Sequence, residues 1–397
     1  MTGTRPRNTR PRDRKQQIIT TASERFRVSG YHNVGMSDIA DVVGISGPAL
    51  YRHFRGKQEL LYATVVDAID KDASAFGGEH GDLRELLDAV AAGVLEHRHA
   101  GVLWDRVIVH LPEEQRNELT GRYLASIEPL RTAVAAERPE LSPEAVELLL
   151  RATLAAFTAM GNYAGKLDPA RARLMTVELG MTICRSQEVR PHPDAAEEQP
   201  SVSRGRLSPA SRHEAVLAAA TRLFAERGYD AVGMEDIAAG AAGLASSTLY
   251  YHFANKAAIL VAALTRCLEA LLFDLSAALD LSEEPGQALD AVLRSFVRIS
   301  LEHGAAMSAL LNEIVNVPAE EREKVRRMQR DYVTEWTSLL NAHRPELDPA
   351  EAKLLVHAAQ TVVNTLSRTS EVWRRPAHRD DVVALGRTVL DLPGAAG

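Results

Sequence analysis

An internal repeat is the feature that most restricts how this 397-residue chain can fold. The run Gly44-Ile-Ser-Gly-Pro-Ala-Leu-Tyr-Arg-His-Phe54 returns as Gly243-Leu-Ala-Ser-Ser-Thr-Leu-Tyr-Tyr-His-Phe253. Residues 13–31 return 198 positions later, and residues 111–163 return 206 positions later. Because the matches keep their order while the offset changes little, the sequence predicts two successive copies of one fold.

The first copy begins with a pattern that is typical of a helix-turn-helix. Residues 13–29 repeat apolar side chains every four positions, and Asp13 with Gln16 predicts a capping box at the start. A second short helix is predicted from Met36 to Val43 and a third from about Gly47 to His53. A tight glycine turn joins them, which is the spacing of a helix-turn-helix.

The second copy repeats these signals with one change in length. Ser211 with Glu214 predicts the capping box, and the second short helix is predicted from Met234 to about Ala242. One residue more separates Ala238 from Gly243 than separates Ala40 from Gly44. The second copy is therefore expected to have either a longer second helix or a looser turn.

Charge is distributed unevenly along a chain of ordinary globular composition, with 46% hydrophobic and 25% charged residues. Residues 1–60 carry 11 Lys and Arg against 5 Asp and Glu, although the whole chain has a formal net charge of −7. Such a basic segment is typical of a nucleic-acid contact, and a solvated tail is the alternative. Residues 201–260 carry 6 basic against 5 acidic side chains, so a weaker attraction is expected there.

Several classes of protein are disfavoured by what the sequence lacks. The two cysteines, Cys184 and Cys267, stand alone, and no glycine-rich phosphate loop, nucleophile elbow or zinc-protease motif occurs. No apolar run reaches the roughly 18 residues of a transmembrane helix. We expect a cytoplasmic protein that is not an enzyme, holds no cofactor or metal and does not bind a membrane.

The run from Gly30-Tyr31 through Asp38-Ile39-Ala40 and Leu50–Phe54 to Lys57 resembles the TetR (tetracycline repressor-like) family of transcriptional regulators. A matching run extends from Gly228-Tyr229 to Lys256. The resemblance implies an all-α fold of two tandem TetR-like units, each a three-helix helix-turn-helix domain followed by a helical effector and dimerisation domain. The expected segments are residues 1–56 (first DNA-binding domain with a basic arm), 57–186 (first effector domain), 187–207 (linker), 208–255 (second DNA-binding domain) and 256–397 (second effector domain).

The same resemblance implies that the third helix of each copy enters the major groove of DNA. Tyr51, His53 and Lys57 are then expected on phosphates, residues 46–49 on base edges, and the basic arm along the backbone or in the minor groove. The contacts expected of the first copy are Arg5, Arg7, Arg10, Arg12, Arg14, Ser37, Ser46, Gly47, Pro48, Ala49, Tyr51, Arg52, His53 and Lys57. Those expected of the second copy are Glu235, Ala245, Ser246, Ser247, Thr248, Tyr250, Tyr251, His252 and Lys256.

Two further partners follow from the resemblance besides the double-stranded operator. The last helices, at about 143–165 with 168–186 and 349–375 with 378–391, are expected to pair within the chain as a pseudo-dimer. Further association of chains on DNA is left open. An apolar effector, with a lipid or an acyl-CoA as a family-level guess, is expected in a pocket of each effector domain. Candidate lining residues, for which core packing is the alternative, are Trp104, His110, Phe157, Met160 and Tyr163, then Phe273, Phe296, Met307, Asn312 and Trp336.

The sequence favours a ligand-responsive repressor with two unlike helix-turn-helix elements on an imperfect palindrome. Two alternatives remain open. One is a sensor or interaction protein in which only the first copy contacts DNA and the second is its dimerisation partner. The other is a DNA binder without sequence preference. Glu235, where the first copy has Ser37, is expected either to accept from a cytosine amino group or to repel phosphate.

Overall fold

The computed structural model describes residues 11–31, 33–96, 108–189, 211–241, 243–368 and 378–392, and all regular structure in these segments is helical, which confirms the all-α prediction. The first copy contains α1 (Pro11–Ser29), α2 (Met36–Val43), α3 (Gly47–His53), α4 (Lys57–Phe76), α5 (Leu83–Glu96), α6 (Glu113–Ser126), α7 (Glu128–Glu137), α8 (Pro143–Tyr163) and α9 (Pro169–Cys184). The second copy contains α10 (Arg212–Arg227), α11 (Met234–Gly240), α12 (Ser246–His252), α13 (Lys256–Leu281), α14 (Pro285–Glu302), α15 (Gly304–Asn312), α16 (Ala319–His343), α17 (Pro349–Arg368) and α18 (His378–Leu390). No helix in the described segments is both long and apolar enough to cross a bilayer.

The capping boxes predicted for the first helix of each copy are wrong. Helix α1 begins at Pro11, so Asp13 lies inside the helix instead of capping it. Ser211 does cap α10, but its side chain accepts no capping hydrogen bond. Glu214 turns away to Arg266 of α13, whose guanidinium donates to it at 2.5 Å. The charged partner on a neighbouring helix therefore outcompetes the local cap.

The short helices of the two copies follow their predicted bounds closely. Helices α2 and α3 occupy the predicted residues, whereas α11 ends at Gly240, two residues before the predicted end. The extra residue of the second copy consequently lies in the turn, which is looser, and the helix is not longer. In both copies an aspartate three residues into the helix (Asp38 and Asp236) accepts from the preceding glycine N–H at 2.7 Å.

The predicted starts of the penultimate helices are confirmed by their hydrogen bonds. Ser142 Oγ accepts from the backbone N–H of Ala145 at 3.4 Å, ahead of α8. Asp348 Oδ1 accepts from the backbone N–H of Ala350 at 2.8 Å, ahead of α17. Proline follows at the first helical position in each case, where its missing N–H removes no hydrogen bond.

Contacts along the chain divide it into two compact units. The first unit holds α1 to α4 and α6, and the second holds α5 and α7 to α18. In the first unit α4 packs against both α1 and α6, which ties the first three helices to a later helix of the same copy. The second unit contains the remaining helices of the first copy together with the whole second copy.

Inside the second unit, the rear helices of the two copies pack against each other, with α8 along α17 and α9 beside α18. The ring of Tyr163 stacks on His357 with centroids 3.9 Å apart, and Arg171 Nε donates to Glu351 at 2.5 Å. The hydroxyls of Ser186 and Thr388 lie 3.0 Å apart. These contacts connect helices of different copies within one chain.

Glycines at equivalent positions permit close helix packing within each copy. Gly180 of α9 and Gly386 of α18 are 206 residues apart, which is the offset of the rear helices. A Cβ on Gly180 would lie 2.8 Å from the Phe157 ring, and a Cβ on Gly386 would lie 2.6 Å from Leu293. Both distances are too short for a carbon contact, so an alanine at either place would require the Phe157 or Leu293 side chain to shift.

Candidate nucleic-acid interface

The first helix-turn-helix is built around two buried anchors on α3. Leu50 is fully buried and Phe54 is 2% exposed, and they pack into the core that α1, α2 and α4 share. Burying side chains of this size stabilises a fold by about 1.5–3 kcal/mol each. Gly44 ends α2 at φ 71°, a left-handed conformation in which glycine lacks the steric strain of other residues. The fixed anchors turn the opposite face of α3 toward solvent.

That outer face of α3 carries several of the predicted DNA contacts. Ser46, Pro48 and Arg52 are exposed, and Tyr51 is 54% exposed although its ring is large. Ala49, Gly47 and His53 are half-buried, and Ser37 of α2 is exposed. Ser46 Oγ also accepts from the N–H of Ala49 at 3.4 Å, which caps the helix. The sequence-predicted residues of this helix therefore form one accessible surface.

The second helix-turn-helix has the same construction. Leu249 is fully buried and Phe253 is 6% exposed, while Tyr250 is 55% and Tyr251 86% exposed. Gly243 has φ 71°, the same value as Gly44. The anchors and the turn thus hold α12 as they hold α3, with its predicted contact residues outward.

A shallow notch accompanies α12 on this outer face. It is lined by Arg212 at the start of α10 and by Ser247, Thr248, Tyr251 and His252 of α12. Hydroxyl groups and a guanidinium are groups that hydrogen-bond phosphates and base edges. Glu235 and Ala245 are exposed near by in sequence, and Ser246 begins α12, although its side chain lies outside the description.

The predicted basic arm needs correction at its C-terminal end. Arg12 and Arg14 belong to α1 and are not part of an extended arm. Arg14 Nη1 donates to the carbonyl of Val43 at 3.3 Å and to Gln17 at 3.0 Å, so it is held against the end of α2. Arg5, Arg7 and Arg10 lie outside the described residues.

Both predicted phosphate lysines lie over tyrosine rings. Lys57 Nζ is 4.4 Å from the ring centre of Tyr31, and Lys256 Nζ is 4.0 Å from that of Tyr229. Such cation–π contacts are worth about 0.5–2 kcal/mol, more where the amine is desolvated. Lys256 also donates to the Tyr229 carbonyl at 2.8 Å, and its burial lowers the pKa of the amine. The sequence analysis missed this pairing, although both residues recur in both copies.

A carboxylate joins the second of these pairs to the effector domain. Glu313, which ends α15, accepts from the backbone N–H of Tyr229 at 3.2 Å. Its other oxygen accepts from the amide of Asn316 at 2.7 Å. The end of α10 is therefore bonded on one side to α13 through Lys256 and on the other to α15 through Glu313.

The described candidate effector residues of the first copy are divided between the two compact units. Trp104 lies outside the described residues, and His110 stacks on Tyr31 in the first compact unit with centroids 5.0 Å apart. Phe157 and Met160 are buried in α8 in the second unit. Tyr163 is 51% exposed and stacks on His357. Phe157 and Met160 are therefore core residues, and Tyr163 contributes to the contact between the two copies.

In the second copy, some of the candidates come together. Phe296 and Trp336 are buried with ring centroids 5.7 Å apart, and Tyr332, which the sequence analysis missed, packs against both. Burial raises the pKa of Tyr332 far above its ordinary value. Met307 is buried, with its sulfur 3.4 Å from that of Cys267.

One candidate of the second copy does not join this cluster. Phe273 is 76% exposed, so it does not have the buried position that a pocket-lining residue needs. The side chain of Asn312 lies outside the description. Among the described side chains, the buried residues of the predicted lining in the second copy are Phe296, Met307 and Trp336.

Known proteins match this chain in both copies. Residues 18–64 and residues 216–263 each match the family model described as bacterial regulatory proteins, tetR family. Residues 282–389 match the model described as tetracyclin repressor-like, C-terminal domain. Both helix-turn-helix elements described above fall within the first pair of matches.

Individual relatives cover parts of the chain. The HTH-type transcriptional activator FasR of Mycolicibacterium smegmatis is 46% identical over 69 residues, 17% of this chain and 32% of that protein. The HTH-type transcriptional repressor KstR2 of the same species is 34% identical over 119 residues, 27% of this chain and 52% of that protein. The chain thus spans about a third and about half the length of these curated relatives. The crystal structure of a TetR-family regulator from Bordetella parapertussis 12822, 22% identical, covers 47% of this chain and 100% of its own, with a TM-score of 0.41.

Proposed function

The chain belongs to the TetR family and carries two of the family's DNA-binding domains, and from this premise we propose that it is a sequence-specific transcriptional regulator. In this proposal a single chain occupies one imperfectly palindromic operator, with α3 in the major groove of one half-site and α12 in that of the other. The observation that carries the proposal is that both helices are anchored alike and expose the same face.

Pairing within the chain is supported by the contacts between the rear helices. Interfaces between identical subunits are two-fold symmetric, so each contact of residue i with residue j recurs as j with i. Arg171 contacts Glu351, but the equivalent positions 206 residues away are Ala377 and Ala145. The ion pair therefore forms once, and only between unlike copies.

Pairing between like copies would lose this contact. Two first copies would place Arg171 opposite Ala145, and two second copies would leave the buried Glu351 opposite Ala377. An uncompensated buried carboxylate is destabilising. The interface thus favours a pseudo-dimer made of one first copy and one second copy.

The proposal is tested by binding and stoichiometry together. Selection from a randomised duplex library with the full chain should return a bipartite site, and sedimentation should find one chain on the shortest duplex that holds it. Two chains on every minimal site would contradict the pseudo-dimer. Enrichment of no sequence, with affinity that depends only on salt, would contradict sequence-specific regulation.

The competing interpretation, in which only the first copy contacts DNA, has its support in the low net charge of residues 201–260. Two matched double variants separate the interpretations: Tyr51→Phe with Lys57→Met, and Tyr250→Phe with Lys256→Met. Our proposal expects both to weaken operator binding and to lower the salt dependence of the affinity. A loss confined to the first variant would favour the competing interpretation.

We further propose that this regulator is a repressor released by an apolar ligand of the second effector domain. The bonds from Glu313 and Lys256 to the end of α10 support this, because they connect the DNA-binding domain to two helices of the effector domain. A ligand that shifts α15 would change the position of α10 through Glu313. A promoter–reporter assay tests the regulatory sign, and Glu313→Gln should weaken induction while leaving DNA binding in place.

A further inference from the structure

The two recognition helices differ at a restricted set of positions. The anchors and the Tyr and His beside them are the same in α3 and α12. Within the two helices, the exposed positions that differ are Pro48 against Ser247 and Arg52 against Tyr251, and the exposed residue before each helix differs too, Ser46 against Ala245. Residues four apart lie on one face of a helix, so Pro48 and Arg52 share one surface of α3, and Ser247 and Tyr251 share the equivalent surface of α12. The two copies therefore have the same buried residues that anchor the recognition helix and different side chains on its exposed surface.

The chemistry of these exposed positions is different in the two copies. Pro48 has no hydrogen-bonding side chain, whereas Arg52 offers a planar fork of donors that suits the O6 and N7 acceptors of guanine. Ser247 and Thr248 can each donate or accept, and Tyr251 adds an 86% exposed phenol. One surface thus favours a guanine, and the other favours bases that can pair with hydroxyl groups.

The groups expected on the DNA backbone are, by contrast, the same in both copies. Tyr51 and Tyr250 are 54% and 55% exposed, and each copy has its lysine over a tyrosine ring. Backbone contacts set the position of a protein on the duplex, and base contacts set the sequence. Equal backbone contacts with unequal base contacts would give two half-sites of similar geometry and different sequence.

We propose that this chain binds DNA in one fixed direction, with α3 on a half-site selected by Arg52 and α12 on a different half-site selected by Ser247, Thr248 and Tyr251. The inference rests on the proposed function and adds to it that the two half-sites of the imperfect palindrome differ in sequence, which gives the operator a direction. Because one chain holds one copy of each kind, turning the complex around would place both recognition helices on the wrong bases. The first copy then always lies on one side of the operator and the second copy on the other.

An exchange of the recognition faces tests this polarity. The variant Pro48→Ser, Ala49→Thr, Arg52→Tyr gives the first copy the exposed face of the second, and the full chain is again used to select from a randomised duplex library. Wild type should select two unlike half-sites, and the variant should select two like ones. The affinity of the variant for the wild-type operator should fall about tenfold or more. Its affinity for the palindrome that it selects should match that of the wild type for its own operator.

Two controls keep the result interpretable. The reciprocal variant Ser247→Pro, Thr248→Ala, Tyr251→Arg should select a palindrome of the other half-site. The single variant Arg52→Tyr changes only one exposed side chain and should relax the preference at one base pair. Either should fold, because every introduced residue is native at the equivalent position of the other copy.

Directed cleavage then tests the direction itself. Arg55 and Ala254 are equivalent and exposed, whereas both native thiols, Cys184 and Cys267, are buried. An iron chelate attached to Arg55→Cys should cut one flank of the operator, and one attached to Ala254→Cys should cut the other.

The outcomes separate this inference from the proposed function. A palindrome selected by the wild type, or cutting of both flanks by one label, would overturn fixed polarity while leaving sequence-specific binding in place. Selection of the same bipartite site by wild type and exchanged variant would show that these side chains do not set specificity. Failure to enrich any sequence would overturn the proposed function itself.

Discussion

The ion pair between Arg171 and Glu351 offers a measurable test of pairing within the chain. The Glu351 side chain is 9% exposed, and it accepts from Arg171 at 2.5 Å and from the backbone N–H of Asp348 at 3.3 Å. Arg171 is 49% exposed, so this ion pair is intermediate between a fully exposed ion pair and a buried one. The perturbation is Arg171→Ala, compared with Glu351→Ala and with the double variant.

The expected size follows from this intermediate position. Exposed ion pairs contribute about 0–1 kcal/mol, and removing one partner of a buried pair costs about 3–5 kcal/mol. We expect Arg171→Ala to lower the free energy of unfolding by about 1–3 kcal/mol, since the remaining carboxylate keeps one backbone hydrogen bond. Glu351→Ala should cost less, because the arginine left behind still reaches water.

Urea denaturation of the three variants and the wild type closes a double-mutant cycle. We expect a coupling energy of about 1–2 kcal/mol, and the charge exchange Arg171→Glu with Glu351→Arg should recover part of the loss of either reversal alone. If the losses of the two alanine variants simply add in the double variant, there is no specific contact between the copies. The same follows if the charge exchange is no more stable than the single charge reversals predict.

The pH dependence provides an independent check on the same pair. The hydrogen bond from Arg171 is the main reason that the pKa of Glu351 is lowered from 4.5. A carboxyl with a lowered pKa contributes stability that is fully present above 4.5 and is lost as pH falls through the lowered value. Arg171→Ala should therefore remove part of the acid-induced loss of stability.

Three further measurements probe the packing of the second unit. Gly386→Ala should lower the free energy of unfolding by about 1–3 kcal/mol, since its Cβ would lie 2.6 Å from Leu293 and force that side chain to shift, whereas the Cβ of Gly121→Ala meets nothing within 4 Å and this variant should be neutral or stabilising. Burial lowers the pKa of His357 to about 4, so stability should fall as pH drops from 6.5 to 4, and His357→Gln should flatten that slope. Burial raises the pKa of Cys184 to about 11 and that of Cys267 to about 12, so both should react with a thiol reagent at pH 8 only after unfolding.

The sequence predicted most of the fold because its signals were local and occurred twice. The glycine turns and the helix starts at Pro143 and Pro349 depend on a few neighbouring residues, and the structure confirms the predicted bounds of α2 and α3 and the predicted starts of α8 and α17. The capping boxes were wrong because α1 begins before Asp13 and because Glu214 has a better partner in Arg266. Long-range partners of this kind leave no local signal, and the exposure of Phe273 could not be inferred for the same reason.

The candidate site shows which differences between the copies carry information. Tyr31 with Lys57 and Tyr229 with Lys256 form the same contact in both copies, which indicates a role that each DNA-binding domain needs separately. Arg171 bonds to Glu351, whereas the reciprocal positions hold Ala377 and Ala145, so this contact forms once in the joined chain. A symmetric homodimer cannot make such a contact only once, because every contact of residue i with residue j recurs as j with i. Joining two copies in one chain removes that restriction. The exposed residues of α3 and α12 can then differ, so that each helix suits a different DNA sequence.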